Sequence, residues 1–209
     1  MIYNPLTGIS TSAQKEKHMK FKLFLFIAAV LVASACGGTA EPAAPPTETP
    51  LPTWPEFTSE TGGFAVKLPS TPVEEVQTIP SEAGDLNLYI YMVEEENAAM
   101  GVMFNELPEI ITSSADDELI QSMLDGGRDG AVGNMGGNLV SEEEISIDGH
   151  PGRHIVFNIP DAVFPGGGEG VARIYYVDGN LYQVMLLGVK DAYPPEMVEM
   201  FLDSFQLLP

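Results

Sequence analysis

Several sets of residues in this chain have types and spacing that could do chemistry. Cys36, the only cysteine, follows Ala33-Ser34-Ala35 and precedes Gly37-Gly38. A single thiol closes no internal disulfide, and a catalytic thiol is not expected beside an apolar run with no core around it, although as a thiolate it is a nucleophile. His150 and His154 stand four residues apart. On a strand they would share a face roughly 13 Å apart, too far for one metal ion unless a bulge at Gly152 shortened the gap. Pro165-Gly166-Gly167-Gly168-Glu169-Gly170 is glycine-rich. A phosphate cradle lies between a strand and a helix and carries a lysine; this segment lies between two predicted strands and carries Glu169. Gly166, Gly167, Gly168 and Glu169 are therefore taken as a candidate ligand loop, a lid over a small molecule. The acidic runs Glu94-Glu95-Glu96, Asp116-Asp117-Glu118 and Glu142-Glu143-Glu144 lack the spacing of a calcium loop and read as solvated faces and a helix start. Among the serines (Ser113, Ser114, Ser122, Ser141, Ser146, Ser204) none lies in a G-x-S-x-G elbow. Paired carboxylates could cleave glycosides across a cleft, but so acidic a chain nominates no particular pair. Tyr175, Tyr176, Tyr182 and Tyr193 read as core or cross-strand packing before ligand contacts. No catalytic residue, metal site or cofactor is expected from these patterns.

The elements around Cys36 say where the chain goes. Lys20 and Lys22 are followed by an apolar run from Leu23 to Val32 and then by small residues. A basic start, about 10 apolar residues and a small-residue end make a secretory signal peptide. A membrane-spanning helix needs roughly 20 apolar residues, and this run gives way to Gly and Pro. Met19 begins a compact signal by itself, so residues 1–18 read as an extension ahead of the true start. Residues 19–35 are then the signal.

The stretch Ala33-Ser34-Ala35-Cys36 resembles a bacterial lipobox, with Ala33 at the position where that family prefers Leu. The resemblance implies cleavage before Cys36 and a diacylglycerol thioether on its sulfur. Two or more acyl chains anchor a protein stably where one is marginal. The expected location is a cell membrane or outer membrane, on the extracytoplasmic side. Of 9 basic and 30 acidic residues, Lys15, Glu16, Lys17, Lys20 and Lys22 precede Cys36. The remainder, 5 against 29, carries a formal charge of −24. Such a surface repels nucleic acid and anionic headgroups and suits solubility, cationic partners or a salty medium. Attachment to the membrane is thus expected through lipid at Cys36, with a protein partner of unknown identity and no nucleic acid.

Residues 36–55 are rich in Pro, Thr, Ala and Gly without periodicity, an extended spacer. Residues 56–209 suffice for one globular domain, and Trp54 is placed to begin it by packing against it. Residues 64–68, 73–79, 86–95 and 100–107 read as strands, the third with Leu86, Leu88, Ile90 and Met92 on one face. Residues 115–135 change to helical spacing, with Leu119, Ile120, Met123, Leu124, Gly127, Ala131 and Met135 in phase. Asp116, Asp117 and Glu118 lie at the positive end of that helix. Its Gly126, Gly127, Gly130 and Gly133 either let it lie close against a sheet or fray it. Strands 138–147 and 150–159 flank Asp148-Gly149, and strands 171–177 and 181–188 flank Asp178-Gly179-Asn180, two hairpins joined by a glycine-rich loop over 160–170. Pro194-Pro195 open a short amphipathic helix with Met197, Phe201, Leu202 and Phe205 facing inward. Antiparallel hairpins with segregated helices mean an α+β fold.

The order Phe64-Ala65-Val66-Lys67-Leu68-Pro69, Gly127-Arg128-Asp129-Gly130, Ile147-Asp148-Gly149-His150-Pro151-Gly152-Arg153, Arg173 to Gln183 and Phe201-Leu202-Asp203-Ser204-Phe205 resembles small bacterial envelope lipoproteins with a PsbP-like domain. The resemblance implies an antiparallel β-sheet with helices packed against it, a PsbP-like α/β/α sandwich, over nearly all of 56–209. The residues that carry it are turn and core positions. Three functions follow as expectations: a non-enzymatic accessory module supporting a membrane protein complex, a solute-binding lipoprotein, and an unrecognised hydrolase.

Overall fold

The computed structural model describes residues 50–209 apart from 82, 83 and 114. The proposed signal segment, Cys36 and the spacer up to residue 49 lie outside the described residues. Ten strands and three helices follow in the order β1 (Glu56–Ser59), β2 (Phe64–Lys67), β3 (Val73–Ser81), β4 (Gly84–Glu94), β5 (Ala98–Glu106), α1 (Glu109–Thr112), α2 (Asp117–Asn134), β6 (Asn138–Ile147), β7 (His150–Ile159), β8 (Gly168–Val177), β9 (Asn180–Val189), α3 (Pro195–Leu202) and β10 (Gln206–Leu207). Seven strands form one antiparallel sheet in the order β3-β4-β5-β9-β8-β7-β6, and β1-β2-β10 form a second. The fold is α+β.

Local chemistry sets the turns. Asp148 and Gly149 take φ of 50° and 88°, and Asp178 and Gly179 take 46° and 88°. Positive φ at both central residues is the hairpin turn whose twist matches its strands, and Asp-Gly tolerates it. Asp116 caps α2 by accepting a 2.9 Å hydrogen bond from the Leu119 amide, which satisfies an otherwise orphaned donor.

The central strands β5, β9 and β8 are buried on both faces, so their sequences are nearly continuously apolar. One face, here the inner face, packs on β1-β2-β10 and α3. Phe64 is its hub, 0% exposed and in contact with the rings of Phe57, Tyr91, Phe104, Tyr182 and Phe205. Truncating such a side chain costs about 3–5 kcal/mol. The buried Tyr182 hydroxyl ties the layers by donating to the Gly62 carbonyl at 2.9 Å, and the half-buried Lys67 amide ties β2 to the end of α3 by donating to Ser204 Oγ at 2.9 Å. The other face, here the outer face, packs on α2 through Ile155, Phe157, Ile174, Leu181 and Met185. Helix α2 makes its main sheet contacts with β6 to β9.

One local expectation changes and two gain detail. The glycine-rich loop ends early, because β8 begins at Gly168 and Gly168 and Glu169 are paired within the sheet. Gly168 and Gly170 are strand residues with no room for a side chain: a Cβ at Gly168 would meet the Gly188 carbonyl oxygen at 2.5 Å and Phe164 at 2.9 Å, and one at Gly170 would meet the Phe157 ring at 2.2 Å. The expectation that glycine marked loop here missed this close approach. On β4 the face that enters the core carries Tyr91 and Val93, whereas Leu86, Leu88, Ile90 and Met92 lie on the outer face, half-buried. Helix α2 holds its glycines for two reasons. Gly127 lies against Ile174 and Leu181, while Gly126, Gly130 and Gly133 face open space.

Candidate functional site

Two concave surfaces stand out, one on each face of the large sheet. The first lies on the inner face where the eight-residue α3 is too short to cover it. Val156, Val171, Leu186 and Gly188 form the floor, and α3 supplies Val198 and Glu199 as a wall, around a cavity of about 190 Å³. Glu169 and Asp191 stand at its mouth. Of the candidate ligand loop, Glu169 lines this cavity; Gly166, Gly167 and Gly168 do not. Gly166 and Gly167 instead take φ of 89° and 81° in the turn before β8, a conformation that glycine adopts without cost.

Tyr193 closes one side of the cavity. Its ring meets Trp54 edge to face, with centroids 6.5 Å apart, and its hydroxyl donates to the Glu95 carboxylate. Burial, and then the hydrogen bond to Glu95, push its ionisation well above the ordinary tyrosine range. Tyr175, Tyr176 and Tyr182 are core residues. Burial also raises Tyr182, and raises Tyr175 against the opposing charge of Arg173.

His154 lies between this cavity and a shallower depression that also holds Arg173 and Glu199. His150, four residues along β7, lines a separate depression beside α1. Among the described residues no group of three His, Cys, Asp or Glu side chains is gathered to hold a metal. Nor, among them, does either histidine hydrogen-bond to a serine. An apolar floor with carboxylates at the mouth suits a small ligand with an apolar body and a cationic or donor group.

The second surface lies on the outer face, beside α2. A groove of about 330 Å³ runs between the helix and strands β9, β5 and β4. Its floor is Leu88, Met103, Met185 and Leu187, and its wall is Met123, Gly126 and Gly130 of α2. Methionine fills irregular space and adapts to different partners. Beyond the groove the sheet continues uncovered: Ile90 and Met92 of β4 are half-exposed, and Val73 and Ile79 of the edge strand β3 are 72% and 45% exposed. Opposite pairs such as Val73 with Met92 lie on this same face. The alternation read in β4 is real, but the helix that should cover this face stops short of it.

The far flank of α2 is pinned. Arg128 pairs with Glu142 at 3.0 Å and Asp129 at 2.8 Å, and Arg153 pairs with Glu142 at 3.1 Å and hydrogen-bonds to Gln121. The Asp129 hydrogen bond, with help from Glu142, outweighs desolvation and raises the guanidinium of Arg128 above its usual range. Arg173 pairs with Glu199 at 2.8 Å and Asp203 at 2.7 Å; burial opposes its charge, and Asp203 and Glu199 restore and raise it. Glu142 is thus a structural ion rather than the solvated residue the sequence suggested. All three arginines of the chain are committed internally, so the outer surface is anionic almost without relief.

No family model and no curated protein matches the chain. Among solved structures it is similar to cyanobacterial PsbP (CyanoP) from Synechocystis sp. PCC 6803, determined in solution. Identity is 12% and the TM-score 0.46, over 80% of this chain and 99% of that one. The match falls on the family that the residue pattern resembles. The architecture given above rests on this chain's own strand order and packing, and no site or activity is carried over. No helix of the described residues is long and apolar enough to cross a membrane.

Proposed function

We propose that this protein is a lipid-anchored, extracytoplasmic, non-catalytic binding module that supports a membrane protein complex. The observation that carries the reading is the uncovered apolar half of the outer face, from the α2 groove to β3. Contiguous exposed apolar surface of this kind marks an interaction site. The sequence pattern supports the tether: a signal-like segment, Cys36 behind small residues, and a proline-rich spacer that would hold the domain away from the lipid. The acidic surface keeps the domain off anionic headgroups, so attachment falls to the acyl chains.

The test is crosslinking in intact cells, purification through a C-terminal tag and mass spectrometry, with Cys36→Ala alongside. A stoichiometric membrane partner that is lost with Cys36→Ala is the expected result. Recovery of abundant bystanders alone would overturn the accessory reading. Cys36→Ala should also release the protein from membranes or leave its precursor uncleaved; a mature-sized chain still on the membrane would refute lipidation. The cavity at Glu169 favours a second reading, a small-ligand-binding lipoprotein, in which a cationic or hydrogen-bond-donating solute occupies the inner-face pocket.

A further inference from the structure

We infer that the occupant of the outer-face groove is an α-helix of the partner, apolar on one side and basic along its flanks, lying beside α2 over β5 and β4. This rests on the accessory reading and specifies how the partner is held.

The first argument is spacing. Packed helices lie about 8–10 Å apart, and strands about 4.8 Å apart. Helix α2 makes its most extensive sheet contacts with β8. A helix one packing distance away sits roughly two strands on, which in the order β3-β4-β5-β9-β8 is over β5. That is where Leu88 of β4 and Met103 of β5 lie half-exposed, next to the buried Met185 of β9. Edge strand β3 remains beyond it as a rim.

The second argument is the surface of α2. Gly126, Gly130 and Gly133 sit at i, i+4 and i+7, and a Cβ on any of them would meet nothing within 4 Å. Within the fold they are useless to packing, and each costs about 1 kcal/mol of helix stability relative to Ala. A local rule broken with no gain inside the molecule points to function. Gly126 and Gly130 line the groove, and a wall without side chains lets a second helix come close. Gly133 lies outside it.

The third argument is charge. On the side of β3 that shares the groove's face, Glu75 stands exposed and accepts a hydrogen bond from Gln77. With every arginine paired internally and a formal net charge of −21, the chain offers a partner an acidic surface around this apolar face. A helix with lysine or arginine flanks complements it; a second copy of this acidic chain does not.

The probe is a synthetic leucine-lysine amphipathic peptide of about 18 residues, the length of α2. An acidic-flanked version of the same apolar face and an alternating, strand-forming leucine-lysine peptide serve as comparisons. Binding to the purified chain is followed by fluorescence anisotropy, and peptide conformation by circular dichroism. Gly126→Leu/Gly130→Leu fills the groove from a helix position with room for the side chain, so the fold survives. Gly133→Leu makes the same chemical change outside the groove. The expected result is a helical bound peptide whose affinity falls by about tenfold or more in the double variant and is unchanged in Gly133→Leu. Equal binding to all three proteins means charge adsorption and overturns the inference. So does preference for the strand-forming peptide, which would mean strand addition at β3. Self-association abolished by the double variant would name a second copy as occupant, and no binding would leave the groove without a helix; both overturn it. A partner crosslinked in cells equally well by wild type and the double variant overturns the helix inference while leaving the accessory reading standing.

Discussion

The same substitution should act in opposite directions at glycines of α2 and of β8. At Gly126, Gly130 and Gly133 an added Cβ meets nothing. Gly→Ala there restores helix propensity and reduces the entropy of the unfolded chain, worth about 0.8–1 kcal/mol per exposed interior site. The triple Ala variant should gain roughly 2–3 kcal/mol if the sites add. At about 2–4 °C per kcal/mol for a chain of this size, Tm should rise by roughly 5–10 °C. At Gly170 the new Cβ would stand 2.2 Å from Cζ of Phe157, a ring 0% exposed in the core. Overpacking of this kind costs about 1–3 kcal/mol, so Gly170→Ala should lower stability by about 2 kcal/mol. Urea unfolding followed by far-ultraviolet circular dichroism measures both. The fluorescence of Trp54, the only tryptophan, packed on Tyr193, gives a second probe. The dependence on urea should keep its slope while the midpoint moves. A loss of stability in Gly133→Ala, or a neutral Gly170→Ala, would refute the reading that one set of glycines is dispensable to the fold and the other is demanded by a ring.

Three further outcomes follow from the same geometry. Glu142→Ala strips the partner shared by Arg128 and Arg153, the latter buried. It should cost about 3 kcal/mol, and comparison with Arg128→Ala in a double-mutant cycle should show coupling between them. Tyr182→Phe leaves the buried Gly62 carbonyl without its donor and should cost about 1–3 kcal/mol in urea unfolding, while near-ultraviolet spectra keep their native form. For Tyr193 the folded-state pKa is raised above the unfolded value of about 10. The neutral phenol is therefore favoured in the native state, so its contribution is full below that pH and is lost as pH rises from there through the folded value. Stability should decline above about pH 10, and Tyr193→Phe should flatten that decline; an unchanged slope would show that the Glu95 contact does not hold the proton.

Some of this structure was legible in neighbouring residues alone. Asp148-Gly149 and Asp178-Gly179 announced two hairpins because few residues accept positive φ twice in succession. Asp116 announced the start of α2, and Pro195 that of α3. The cavity at Glu169 was approached through its glycine-rich flank, although the glycines themselves shape a turn and a strand rather than the pocket. The α2 groove was not foreseen. Its signal was present in β4, apolar at Leu88, Ile90 and Met92 and again at Tyr89, Tyr91 and Val93, a strand written for burial on both sides. An alternating pattern that is apolar in both phases does not say which face meets this chain's own core.

What the sequence determined by itself is whatever a few adjacent residues decide: turn handedness, caps, strand and helix periods, the acidic charge, and a lone cysteine behind a signal-like run. What only the tertiary structure decided depends on residues far apart in the chain. Lys67 donates to Ser204, Tyr182 to Gly62, and β2 pairs with both β1 and β10. The four glycines of α2 are chemically identical in sequence, and their difference exists only once a sheet lies under one of them and open space beside the others. Periodicity reports that a face wants to be buried; strand order and helix reach decide whether this chain can bury it, and on the outer face of β3 and β4 it cannot.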